Sequence, residues 1–183
     1  MLKKIVNIIG IFLIIVSTFF LVKKLITKLI YNINKEEKIN IFFKEYNNDG
    51  NKILKDDYLM ILEIPTIKLN EGIYDFDNDK NNIEKNVSIL KYSSLPDNDN
   101  SILLLAAHSG NADNAYFKNL YKLKYNDLIN VYYNKNLYKY KVNNIYVISK
   151  NDDFFIKDFN KKTLILITCF DNYKYLIIES QIV

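Results

Sequence analysis

Two residue types that can do chemistry occur once each in this chain. His108 is the single histidine and Cys169 the single cysteine. A thiol beside an imidazole supplies an activated nucleophile and a general acid–base. Each stands where an apolar run gives way to a polar loop. His108 ends SILLLAAH (101–108) and precedes SGNADN; Cys169 follows TLILIT (163–168) and precedes FDN. Strand ends and the loops after them commonly carry reactive side chains on a rigid scaffold. If the two strand ends are neighbours, thiol and imidazole meet at one rim. At this level other uses stay open. A lone Cys is usually a small buried hydrophobe, and a lone His is usually a satisfied structural residue. One His and one Cys are too few for a closed metal site. No cofactor is expected.

The elements that must position this pair read mostly as strands. YLMILEIP (58–65) is β-rich and ends at a proline, and IKLNEGIYD (67–75) alternates. SILLLAAH is a continuous apolar run, which predicts a strand buried on both faces. DLINVYYN (127–134) and LYKYKVNNIYVISK (137–150) predict a hairpin joined at Asn134–Asn136. TLILITC and YKYLIIES supply the last two strands. Residues 78–93 and 113–123 read as two short helices, with Tyr116, Phe117, Leu120 and Leu123 on one side of the second. The expected fold is mainly β, a closed barrel of about eight strands with two short helices.

Ahead of the barrel, Ile5 to Val22 is an 18-residue run without charge. At about 1.5 Å per residue it spans about 27 Å, close to a bilayer core. Lys3 and Lys4 flank one side, Lys23 and Lys24 the other. The run is too long for a signal-peptide core, and no small-residue cleavage site follows it. It predicts an uncleaved anchor, residues 1–24. Leu25, Ile26, Leu29, Ile30 and Ile33 continue at helical spacing into a stalk or linker over 25–55, with NNDGN (47–51) as a turn signal. The folded domain is expected over 56–183. Basic residues on both flanks leave the orientation open.

Composition excludes other classes. Up to residue 55, ten Lys face four acids (+6); beyond it, fifteen Lys face seventeen acids (−2), so the positive charge behind the net +4 sits at the N-terminal end. A slightly acidic domain without a basic patch is no nucleic-acid binder. The basic end suits a membrane surface. A single cysteine allows no internal disulfide. A lone thiol outside the cell asks for a reason. Glu71, Asp75, Asp77 and Asp79 cluster in sequence near the early loops and read as a solvated loop rather than a Ca²⁺ site.

The sequence resembles the sortase family. TLILITC resembles the TLxTC signature of the seventh strand, with Thr163, Leu164, Thr168 and Cys169 in place and two extra residues between. LLLAAHSG resembles the family's strand-and-His segment, with Ala107 where Gly is usual. ILEIPTIKLNEGIY resembles the opening strand pair, through Ile64, Pro65 and Ile67. The resemblance covers residues 56–183, and the anchor fits the usual architecture. It implies a membrane-bound cysteine transpeptidase, single-pass, with its domain outside a Gram-positive-type envelope. Its partners would be secreted proteins bearing an LPxTG-type sorting motif and an amine acceptor such as a peptidoglycan precursor. Cys169 would form the thioester, and His108 would protonate the leaving amine and deprotonate the incoming one.

One departure is plain: the family's last strand carries an Arg beside the Cys, and this chain has no Arg. The alignment places Tyr175 there, with Lys174 one residue before. A one-residue slip at the strand start would let Lys174 supply the charge; without it the enzyme would be slow. The absence of Arg also motivates the alternative of a catalytically weak or inert membrane-tethered binding module, and a thiol hydrolase is a third possibility. The short 151–162 segment, the chain end at Val183 and the lack of a lid motif point toward a class A or D type of housekeeping or sporulation role.

Overall fold

The computed structural model describes residues 2–46, 57–112, 114–152 and 160–183. The expected NNDGN turn and the domain start at Asp56 lie outside them. The chain divides into two compact units, residues 1–40 and 41–183.

The apolar run near the N-terminus lies within one helix, α1 (Leu2–Tyr46, 45 residues). At about 1.5 Å per residue it is about 68 Å long, more than twice a bilayer core. Ile8, Phe12, Ile15 and Phe19 are all exposed. The helix is long and apolar enough to cross a membrane.

The second unit is an eight-stranded sheet curled into a nearly closed barrel. Its strands are β1 (Met60–Ile64), β2 (Leu69–Ile73), β3 (Ser88–Ile89), β4 (Ile102–Ala106), β5 (Leu128–Tyr133), β6 (Asn136–Ser149), β7 (Thr163–Cys169) and β8 (Lys174–Ile182). They lie in the order β2-β1-β5-β6-β8-β7-β4-β3. Every pairing is antiparallel except β4 with β7. The β5–β6 turn holds Asn134 and Lys135 at φ 47° and 59°. This is the primed geometry that matches strand twist.

Strand alternation separates two apolar surfaces. Leu103, Leu105, Leu164, Leu166, Leu176 and Ile178 fill the barrel interior. Leu104, Ile165 and Ile177 form a second cluster on the outer face, extended by Ile167, Ile148 and Tyr175. The apolar run at 101–108 is thus buried on both faces, as its composition predicts.

A bulge in β6 between Val142 and Asn144 is part of this design. Before it, Tyr140 and Val142 point inward. An extra residue reverses the alternation, so Tyr146 and Ile148 point outward and join the second cluster.

Two expectations are corrected. Residues 78–87 form turns rather than a helix, and the β3 strand follows. Here Asn78 Oδ1 accepts from Lys80 N–H and Asn82 Oδ1 accepts from Glu84 N–H, both at 2.9 Å. Asn side chains that cap their own backbone compete with helix formation. Residues 114–123 likewise form turns ending in a 3-10 helix, Leu120–Lys122. A further 3-10 helix is Pro65–Ile67.

Candidate active site

The parallel pairing of β4 and β7 brings the two reactive residues together. Its register runs from Ile102↔Thr163 to Ala106↔Ile167. Two further bonds continue it: Ala107 N–H donates to the Ile167 carbonyl at 3.3 Å, and Thr168 Oγ1 donates to the Ala107 carbonyl at 2.8 Å. The next step of that register sets His108 beside Cys169. Ser109 Oγ donates to the Cys169 carbonyl at 2.6 Å, which ties the loop after β4 to the end of β7. Phe117 N–H donates to the His108 carbonyl at 3.0 Å. Both side chains line one cleft of about 400 Å³.

The cleft lies on the outer face of the sheet. Its walls are mainly apolar, with Ile83, Leu90, Ile148, Ile167 and Ile177 among them. It is therefore the open end of the second apolar cluster. Tyr146 lies on the same face beside this wall; burial pushes its phenol above the ordinary range, and the Glu179 carboxylate adds to the shift.

Tyr175 and Lys174 part company in the structure. Tyr175 pairs with Cys169 across β7–β8 and lines the cleft. Lys174 pairs with Ser149 on β6 and is exposed, outside the cleft lining. The slip that would turn Lys174 into the cleft does not occur. The β7–β8 register is unbroken from Thr163↔Gln181 to Cys169↔Tyr175, so alternation sends Lys174 to the opposite side. A different cation stands near Tyr175. Lys150 Nζ lies 5.2 Å from the centroid of its ring, within cation–π range. Lys150 also donates its N–H to the Tyr173 carbonyl at 2.7 Å, which fixes its backbone.

The sequence reading missed Lys150 and one further residue. Glu84 Oε1 lies 3.2 Å from His108 Nε2. Its loop gives no periodic signal that would place it here. Lys150 carries a weak one, as the last residue of a long β6 pattern. The acidic residues Glu71, Asp75, Asp77 and Asp79 do not converge. Among the described residues, no group of three or more His, Cys, Asp or Glu side chains is close enough to hold a metal ion.

Comparison with known proteins gives the family and the fold. The sortase domain family matches residues 62–182. The chain belongs to the sortase family. Sortase A from Corynebacterium diphtheriae is 28% identical with a TM-score of 0.62, over 69% of this chain and 60% of that one. The chain thus spans under two thirds of that sortase. Sortase C-1 from Actinomyces oris is 27% identical with a TM-score of 0.59, over 68% of this chain and 71% of that one. A Clostridium perfringens sortase D5 transpeptidase, 20% identical, shares the fold with a TM-score of 0.64 over 81% of this chain and 98% of its own. Comparison with the curated proteins gives no match.

Proposed function

We propose that this sortase cleaves an LPxTG-type sorting signal after its Thr and transfers the new acyl end to a cell-wall amine. The observation that carries the reading is the continuation of the β4–β7 register to His108 and Cys169, at the mouth of an apolar cleft. A cleft of about 400 Å³ with Ile, Leu and Tyr walls suits the Leu and Pro side chains of an extended peptide.

In this reading the Cys169 thiolate attacks the Thr carbonyl carbon. The C–N bond breaks as His108 gives its proton to the leaving amine, and a thioester remains. The incoming amine attacks that thioester, His108 takes its proton, and Cys169 leaves as thiolate. The oxyanion of each tetrahedral state needs a donor. Tyr175, paired with Cys169, supplies an O–H, and Lys150 over its ring supplies charge.

The apolar helix α1 supports a membrane anchor. The substrates would place the barrel on the outer side.

The test is mass spectrometry of the full-length protein mixed with an LPxTG-containing peptide. The expected result is an acyl adduct on Cys169 that an added amine discharges as a transfer product. Absence of any adduct would favour the inert binding module that the missing Arg allows. An adduct that goes only to water would make the protein a hydrolase.

A second prediction separates Tyr175 from Lys174. Tyr175→Phe removes one oxyanion donor, and transfer should fall by about 10²–10³ in kcat. Lys174→Ala, on the other side of β8, should leave kcat within about twofold, as substitutions away from a site usually do. Steady-state assays of the two variants decide it. If neither lowers the rate, the donor lies elsewhere.

A further inference from the structure

The His108 side chain meets a residue that neither composition nor periodicity singles out. Glu84 Oε1 approaches His108 Nε2 to 3.2 Å. The geometry points to Glu84 as a positioning residue for His108, the third member of a Cys169–His108–Glu84 relay. This rests on the transpeptidase reading given above.

The contact is built, not incidental. The turn that carries Glu84 is fastened at several points. Glu84 N–H is capped by Asn82 Oδ1 at 2.9 Å, and Asn86 Nδ2 donates to the Lys80 carbonyl at 2.8 Å. One segment, 114–117, grips both partners. Asn114 Nδ2 donates to the Glu84 carbonyl and Tyr116 Oη to the Lys85 carbonyl, both at 2.9 Å. Phe117 N–H from the same segment holds the His108 carbonyl at 3.0 Å. The backbones that carry Glu84 and His108 are therefore both tied to one short segment.

The chemistry follows from which nitrogen is engaged. With Nε2 taken by a carboxylate, its proton stays there and Nδ1 is the nitrogen left for proton exchange in the cleft. A base whose tautomer and ring angle are fixed by a third group is the general logic of activated nucleophiles. When His108 becomes imidazolium, Glu84 faces the new charge. The side chain of Glu84 is 69% exposed and that of His108 31%. A pair so open to water adds little to stability. Removing the carboxylate should leave the fold intact and act on the imidazole.

The test uses the full-length protein in detergent micelles, as wild type, Glu84→Gln and Glu84→Asp. Two quantities are measured at one fixed pH: the rate of Cys169 alkylation by iodoacetamide, and kcat and KM for cleavage of the sorting-motif peptide. Glu84→Gln should slow alkylation and lower kcat, each about tenfold, a fraction of the roughly 10²–10⁴ that a placed acid–base contributes. KM should not move, and Glu84→Asp should recover most of the loss. Wild-type alkylation and kcat in Glu84→Gln would overturn the inference. So would a change confined to KM, which would assign Glu84 to holding Ile83 in the cleft wall. Equal losses in Glu84→Asp and Glu84→Gln with a lowered melting temperature would make it a structural residue of the turn. Should wild type fail to cleave the peptide, the transpeptidase reading falls, while the alkylation comparison still decides the role of Glu84.

Discussion

Cys169→Ala should abolish both adduct formation and transfer, with a loss on the order of 10⁴-fold or more in kcat, as for other covalent nucleophiles. The protein holds no other thiol, so no neighbouring sulfur can substitute. Stability should hardly change. Cys169 is half-buried at the last position of β7, and its side chain faces the cleft rather than the barrel interior. Trimming it removes little apolar contact. Leu166, three residues earlier and fully buried, is the contrast. Leu166→Ala should cost about 2–5 kcal/mol through lost packing and a cavity. Thermal or denaturant unfolding of both variants beside a mass-spectrometric adduct assay separates the two effects. A Cys169→Ala protein that still processes the peptide, at an unchanged melting temperature, would remove Cys169 from the chemistry.

Much of the barrel was legible because its strands obey simple alternation or run apolar throughout. SILLLAAH is buried on both faces, and its unbroken apolar run alone says so. The β3 strand was not legible. Two residues, Ser88 and Ile89, cannot display a period, and the Asn-rich stretch before them resembles a helix start. Its Asn side chains instead fold back on their own backbone.

The site was legible to a different depth at each residue. His108 and Cys169 stood out because each is unique and ends an apolar run. The choice between Lys174 and Tyr175 needed the β7–β8 register, since only the pairing partner of Cys169 shares its face. Ile148 needed the β6 bulge, because simple alternation from Tyr140 would have put it inside the barrel. Glu84 needed the tertiary fold of a loop, and no local pattern encodes a contact 24 residues away in sequence.

His108→Ala tests a different link from Cys169→Ala, and its result should be partial. Removing a positioned acid–base typically costs about 10²–10⁴ in rate. The thiol remains, and a small thiolate fraction keeps intrinsic nucleophilicity, so adduct formation should slow rather than vanish. Both halves of the reaction should suffer. The leaving amine loses its proton donor, and the incoming amine loses its base. KM should change little, because the cleft walls are apolar and the imidazole is one polar group among them. The fold should persist: the clamp on this loop is the His108 carbonyl held by Phe117 N–H, and a side-chain change spares it. Loss of the imidazole leaves Glu84 without that partner, but its carboxylate is already largely in water. Added imidazole should restore part of the rate in His108→Ala and none in Cys169→Ala. Single-turnover measurement of acylation and of amine transfer, with and without imidazole, checks this. Full wild-type rates in His108→Ala would mean that another group moves the proton.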